Sequence, residues 1–306
     1  MAGIQWSEYG ARAGGYRLMR IAKQHKLPAT FCVNARVAEL FPAVVKQIVA
    51  SGFELAAHNY AQDQVLPGLT EAEERSVIRR SIRILEDVSG VRPCGWLSST
   101  IATTEHTADL LAEEGMLWHG DYNYLDLPCR VKTKHGTIPH SDYADNRVLR
   151  GAPRDWYRCY KDMFDFLYHQ EQNAFINITI HGHFGGRPLI SAVLDQMLRY
   201  MTGHPGVWFQ RHDELGRWVN DSKIDEIAYA ERFSLGSGLI RLKDKESDSM
   251  NAIRWTAVSL LLAPLLAPTG CIRGIGESIR PPSVRYLPER RNCALEPGLN
   301  RDCKLC

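Results

Sequence analysis

No stretch of this sequence is apolar for long enough to span a bilayer, and its charge is not one-sided. The apolar run at 255–267 is interrupted by Pro264 and falls short of the roughly 20 residues a membrane helix needs. With 37 Lys and Arg against 35 Asp and Glu, the formal net charge is +2. That is too small to argue for nucleic acid or an anionic membrane as partner. The opening residues, MAGIQWSEYGARAGG, lack the continuous apolar core of a signal peptide. No Gly-rich turn follows a first strand, which argues against an open dinucleotide-binding sheet. The eight cysteines form no complete metal pattern. Cys32, Cys94, Cys129 and Cys159 have no motif spacing and read as reduced thiols of a cytoplasmic-type protein. In the tail, Cys303 and Cys306 form one CxxC. Cys271 and Cys293 are irregularly placed, and no second CxxC completes a zinc set.

What is present is an alternation of strand and helix patterns that runs as far as about Asn220. Strand candidates are Ala29–Val33, Phe53–Ala57, Arg92–Trp96, Met116–Trp118, Thr137–Pro139, Phe175–Ile180 and Val207–Phe209. Helical spacing separates them. Val44, Val45, Ile48 and Val49 follow Pro42, a favoured first helical residue. Val77, Ile78, Ile82, Leu85 and Val88 follow a Thr70–Glu73 capping box. Such alternation predicts a parallel α/β sheet or barrel. Seven strands each ending in polar residues favour the barrel. After about Asn220 the pattern is lost. The segment 221–306 reads as an irregular or disordered extension that builds no core of its own.

The most informative stretch is GFELAAHNYAQDQ, residues 52–64. It places His58 at a C-terminal strand end, where a parallel barrel holds its chemistry. Gln62 and Asp63 follow one turn later. His181 stands at the end of a later strand, and the Met116–Trp118 strand delivers Asp121. A solvated surface histidine is the plain alternative for His58.

These motifs together resemble the polysaccharide deacetylase superfamily, the NodB-homology domain of carbohydrate esterase family four. The resemblance is closest to its allantoinase-like and cyclic-imide-hydrolase-like branch. The residues that carry it are SEYGARAGGYRLMR at 7–20, LPATFCVNARVAE at 27–39, the stretch at 52–64, and EERSVIRRSIRILEDVSGVRPCGWLS at 73–98. HGDYNYLDLP at 119–128, IHGHFGGRP at 180–188 and HPGVWFQRHDEL at 204–215 complete the series, in the family's order and spacing. The resemblance implies a distorted (β/α) barrel over 1–220, followed by the irregular tail. It implies hydrolysis of a non-peptide C–N bond, in an N-acetylated sugar or a cyclic amide or imide. The family's usual site holds zinc on one Asp and two His, with a second Asp as base and a His as acid. Metal lowers the pKa of its water and polarises the carbonyl, and the acid protonates the departing nitrogen.

Carried over by position, His58 matches the first His of the family's metal motif, and Gln62 stands where the second belongs. His181 matches the acid. Arg92 matches an Arg that orients a catalytic carboxylate. Tyr9, Arg12, Gln62, Trp96, Asp121 and Arg187 are implied as substrate contacts, with Trp96 and Leu97 lining a groove. An Asp-Asp-bearing first strand, expected well before Glu8, is absent from this sequence. The expected barrel is therefore N-terminally incomplete, with an exposed edge, and carries no zinc. Glu8 or Asp121 is then left as the base. Two alternatives stay open: a catalytically defective fragment of such an enzyme, or a carbohydrate-binding protein using Tyr60, Trp96, Trp118, Tyr122 and Trp208. The expected partner is a small molecule or carbohydrate, without nucleic acid or membrane, and a homo-oligomer is open.

Overall fold

The computed structural model describes residues 8–122, 126–140, 153–171, 173–223 and 255–263. They lie within one compact unit, Met1–Thr269. Ser141, Asp142, Leu125 and the tail cysteines Cys271, Cys293, Cys303 and Cys306 fall outside the described residues.

The chain enters through a π-helical turn, Gly10–Gly14, continuous with α1 (Gly15–Gln24). Strand β1 (Thr30–Val33), helices α2 (Ala35–Leu40) and α3 (Pro42–Ala50), and strand β2 (Glu54–Ala57) follow. Every residue of β1 and β2 is buried. That is why both read as short unbroken apolar runs rather than as alternating strands. Pro42 opens α3, and Gly52, at φ +78°, makes the left-handed turn into β2. Helix α4 (Glu71–Ser89) has the capping box foreseen at Thr70 and Glu73, and Gly90 ends it at φ +75°. Its Ile78, Ile82 and Leu85 are fully buried in the main core with Phe31, Ile48 and Leu66. Each such side chain contributes roughly 1.5–3 kcal/mol by leaving water. Ile82→Ala is the single change that would most directly loosen this helix, at about 2–5 kcal/mol.

Strand β3 (Gly95–Trp96), helix α5 (Thr107–Glu113) and strand β4 (Trp118–His119) come next. Then an antiparallel pair, β5 (Cys129–Thr133) and β6 (Gly136–His140), leads to α6 (Pro153–Gln170). Strand β7 (Asn173–His181), the short α7 (Gly182–Gly185), α8 (Pro188–Thr202), β8 (Val207–Gln210) and α9 (His212–Ser222) follow. The last described element is β9 (Trp255–Ala263).

These strands form one sheet of nine in the order β5-β6-β4-β3-β2-β1-β9-β7, with β8 also paired to β9. All pairings but β5–β6 are parallel. Two expectations are corrected here. Residues 255–263 are not irregular: they are the strand β9, inserted between β1 and β7. The β1 edge expected to lie open is therefore paired, Thr30 with Leu261 and Phe31 with Leu262. Strand β5 has no counterpart among the expected strands, because Cys-Arg-Val-Lys-Thr is only weakly apolar. The sheet follows one path, and among the described residues no pairing joins β5 to β7.

Candidate active site

Parallel pairing puts the C-terminal strand ends on one edge. Asn34 follows β1, His58 follows β2, Ser98 and Ser99 follow β3, Asp121 follows β4, and His181 closes β7. His58 is buried, with Nδ1 2.5 Å from the Leu97 carbonyl and Nε2 2.8 Å from Gln62 Oε1. Burial pushes its pKa down to about 4, against the two hydrogen bonds and the charge of Asp121, while His181 lowers it further. The ring is thus neutral at pH 7, and a neutral imidazole donates through one nitrogen only. With Nδ1–H given to Leu97, Nε2 is an acceptor. It is satisfied when the Gln62 carboxamide turns its N–H to it, the flip that exchanges the amide's oxygen and nitrogen.

Asp121 is also buried. Its Oδ1 accepts from Ser98 N at 2.6 Å and its Oδ2 from Ser98 Oγ at 2.9 Å. His119 Nδ1 lies 3.8 Å from Oδ2, and its ring meets Tyr122 edge-on. Beneath His58, Asn34 Nδ2 donates to the His58 carbonyl and, at 3.4 Å, to Ser99 Oγ. Asn34 Oδ1 is buried with no hydrogen-bond partner among the described residues. Asn59, Thr100 and Ile101 all have positive φ, at +51°, +58° and +57°, so non-glycine backbone in the left-handed region gathers beside the site.

A second group lies around the short helix α7 that follows β7. The His181 and His183 ring centroids are 5.6 Å apart, and His183 is buried in α7. The Arg187 guanidinium lies over the Tyr9 ring. A Cβ on Gly14 would overlap the Gly182 carbonyl oxygen, so the π-helical turn meets α7 backbone to backbone. This contact brings Tyr9, from the start of the described chain, to Arg187, which follows β7.

Several expected site residues lie elsewhere or are otherwise engaged. Arg92 precedes β3, on the opposite edge of the sheet, where it donates to the Glu114 carbonyl and pairs with Glu86. A parallel strand carries its two ends to opposite edges, so Arg92 cannot orient a carboxylate beside His58. Trp96 is fully buried in the core, with Nε1 donating to Ser98 Oγ, and Leu97 is buried too, so neither lines an open groove. Trp118 is likewise buried, and Trp208 packs on Trp218, so the aromatic groove is not assembled. Glu8 is ion-paired with the exposed Arg12 at 2.7 Å, and Arg12 in turn lies over Phe41. Ser98, Asn34 and His183 join the site without having been expected there. Strand-end position would find the first two, as it finds His58. Burial of His183 has no local signal.

A family model described as polysaccharide deacetylase matches residues 9–117. Peptidoglycan deacetylase of Helicobacter pylori is 23% identical and aligns over 71% of this chain and 84% of its own length. Two solved structures are closer in sequence, each 31% identical with a TM-score of 0.65 over 71% of this chain: a probable polysaccharide deacetylase of Pseudomonas aeruginosa PAO1, 76% of it covered, and PuuE allantoinase, 75% of it covered. The chain belongs to the polysaccharide deacetylase family. Its α/β sheet is the NodB-type fold of that family, and it is a hydrolase-family chain by descent.

The donors of this chain decide whether the family's zinc fits it. A zinc ligand must aim a lone pair at a shared centre. His58 Nδ1 is engaged by Leu97, and its Nε2 faces Gln62. Both Asp121 oxygens accept from Ser98. Among the described residues no three His, Cys, Asp or Glu converge on one point. These residues do not fit a zinc set.

Proposed function

We propose that this chain hydrolyses a non-peptide C–N bond, in an N-acetylated sugar or in a cyclic amide or imide. What supports the reading is one observation: His58, Asp121 and His181 stand at C-terminal strand ends of one sheet, where Asp121 and His181 each bear on the His58 ring. In the proposed reaction, water attacks the carbonyl carbon. His58 Nε2 takes its proton once Gln62 has swung away, and Asp121 offsets the imidazolium charge that develops. His181 then gives a proton to the nitrogen as the C–N bond breaks. Glu8, held in an ion pair with Arg12, is the less suited base.

The test is turnover of acetylated amino sugars, hydantoins and cyclic imides by the full chain, with His181→Ala and His58→Gln alongside. Release of acetate or ring-opened product that both variants abolish supports the proposal. A second reading, that of a non-catalytic sugar-binding protein, is favoured by the resting hydrogen bonds. These occupy both His58 nitrogens and both Asp121 oxygens. Saturable binding of an amino sugar with no product would select it.

A further inference from the structure

Beside the histidine edge stands a cationic platform. The Tyr9 hydroxyl accepts from Arg17 Nη1 at 2.5 Å and donates to the Gly186 carbonyl at 3.3 Å. Arg17 Nη1 donates to the same carbonyl. The Tyr9 ring is thereby fixed at its far end. The Arg187 guanidinium carbon lies 3.7 Å from the centre of that ring, and its Nε donates to the His183 carbonyl at 3.3 Å. Its two terminal nitrogens have no hydrogen-bond or ion-pair partner among the described residues. Glu8 does not neutralise it, being paired with Arg12. The backbone beneath is closely packed: a Cβ on Gly186 would overlap Gly14 Cα.

A guanidinium laid on a ring, with one edge anchored and two N–H-bearing corners unpaired, presents a planar fork. That fork matches the two oxygens of a carboxylate and is poorly matched by a single neutral carbonyl. The stack has already restricted the side chain, so little further ordering is needed on binding. Through the His183 backbone, Arg187 is tied to the segment that carries His181.

We propose that Arg187, stacked on Tyr9, is a carboxylate-recognition subsite, so that the substrate bears a carboxylate close to its scissile amide. The inference rests on the hydrolase reading for its link to the scissile bond, but binding can be measured without turnover. Two substrate sources share this chemistry, a cyclic ureide with a ring carboxylate and an acetylated amino sugar with an acid side arm.

The experiment uses the full chain carrying His181→Ala. Calorimetric titration compares dihydroorotate with dihydrouracil, and N-acetylmuramate with N-acetylglucosamine. Within each pair the main difference is the carboxylate-bearing group. The acid of at least one pair should bind about tenfold or more tightly than its neutral twin, the size of one charge-assisted contact. The pair that does so identifies the source. Arg187→Gln should shrink the gap to about threefold or less, and Arg187→Lys, which keeps charge without the fork, should fall between. Tyr9→Phe retains the ring and should keep most of the gap, which separates recognition from mere tethering of the loop. Circular dichroism checks that each variant is folded. No gap in either pair, no measurable binding of either acid, or a gap untouched by Arg187→Gln overturns the proposal. A gap without turnover by the unsubstituted chain would leave the subsite standing and end the hydrolase reading. Turnover of the neutral members with no gap would do the reverse.

Discussion

Strand β2 carries a buried titratable group at each end, and the two ends behave differently. At its N-terminal end, Glu54 Oε2 accepts from Thr30 Oγ1 at 2.5 Å and from Asp213 N at 3.0 Å, while Oε1 accepts from Trp118 Nε1 at 2.7 Å. Burial, and then the charge of Asp213, push Glu54 up to about 7. Burial pushes its neighbour His212 down to about 3. At the C-terminal end, burial pushes His58 down to about 4. A displaced pKa therefore does not by itself single out the candidate site, although displaced values do gather at functional sites. What differs is convergence. At the Glu54 end, donors from β1, β4 and α9 close on one carboxylate, which ties α9 to the sheet. At the His58 end, polar groups from five strand ends come together, and the buried acceptor Asn34 Oδ1 is left without a described partner.

Substitutions at the two ends should separate chemistry from stability. The largest expected effect is His181→Ala, which should lower kcat by about 10²–10⁴-fold, whereas Glu54→Gln should leave kcat within a few-fold once the protein is folded. If both lower kcat equally at constant fold content, the contrast between the ends is lost.

Next in size is the pH dependence of stability from Glu54. Its folded pKa is raised, so its stabilising contribution is full below about 4.5 and is lost as pH rises toward about 7. Across that window the loss should be about 3 kcal/mol. His58 and His212, with depressed values, act in the other sense and destabilise as pH falls below their ordinary range. Denaturant unfolding of the unsubstituted chain and of Glu54→Gln, subtracted at each pH, isolates the Glu54 slope. A flat difference would mean that Glu54 is not buried as described.

Gly14→Ala tests the contact that carries Tyr9 to Arg187. The added Cβ has mainly backbone to push against, and the cost should be about 1–3 kcal/mol, read as a lowered denaturation midpoint. The smallest effect should come from Gln62→Glu. A carboxylate facing Nε2 should raise the His58 pKa by about one unit or more, followed by NMR titration of the ring. No movement would place Gln62 away from His58.

Much of the fold is legible in the sequence because its signals are local. Thr70 and Glu73, Pro42, Gly52 and the spacing of Ile78, Ile82 and Leu85 each act within a turn or two of chain. His58, His181 and Asp121 can be found because strand-end position follows from a local apolar run. Arg92 is misplaced when motif resemblance is followed over geometry: a residue before a parallel strand belongs to the other edge. Trp96 resembles a groove residue because sequence does not reveal which strand-end aromatics are covered. Strand β9 is hidden for a different reason. Its partners β1, β7 and β8 are all remote from it along the chain, and nothing within 255–263 names them.

That placement has a consequence for the order in which the molecule can form. Thr30, near the start of the unit, pairs with Leu261, near its end. As the chain is synthesised, β1 can bond to β2 almost at once, but its other side stays unpaired until nearly the whole unit has been made. Pairings this distant slow folding, and an open strand edge that waits for them invites association with other chains. The middle of the finished sheet is thus the last part to close, and β1 is the strand most in need of protection during synthesis.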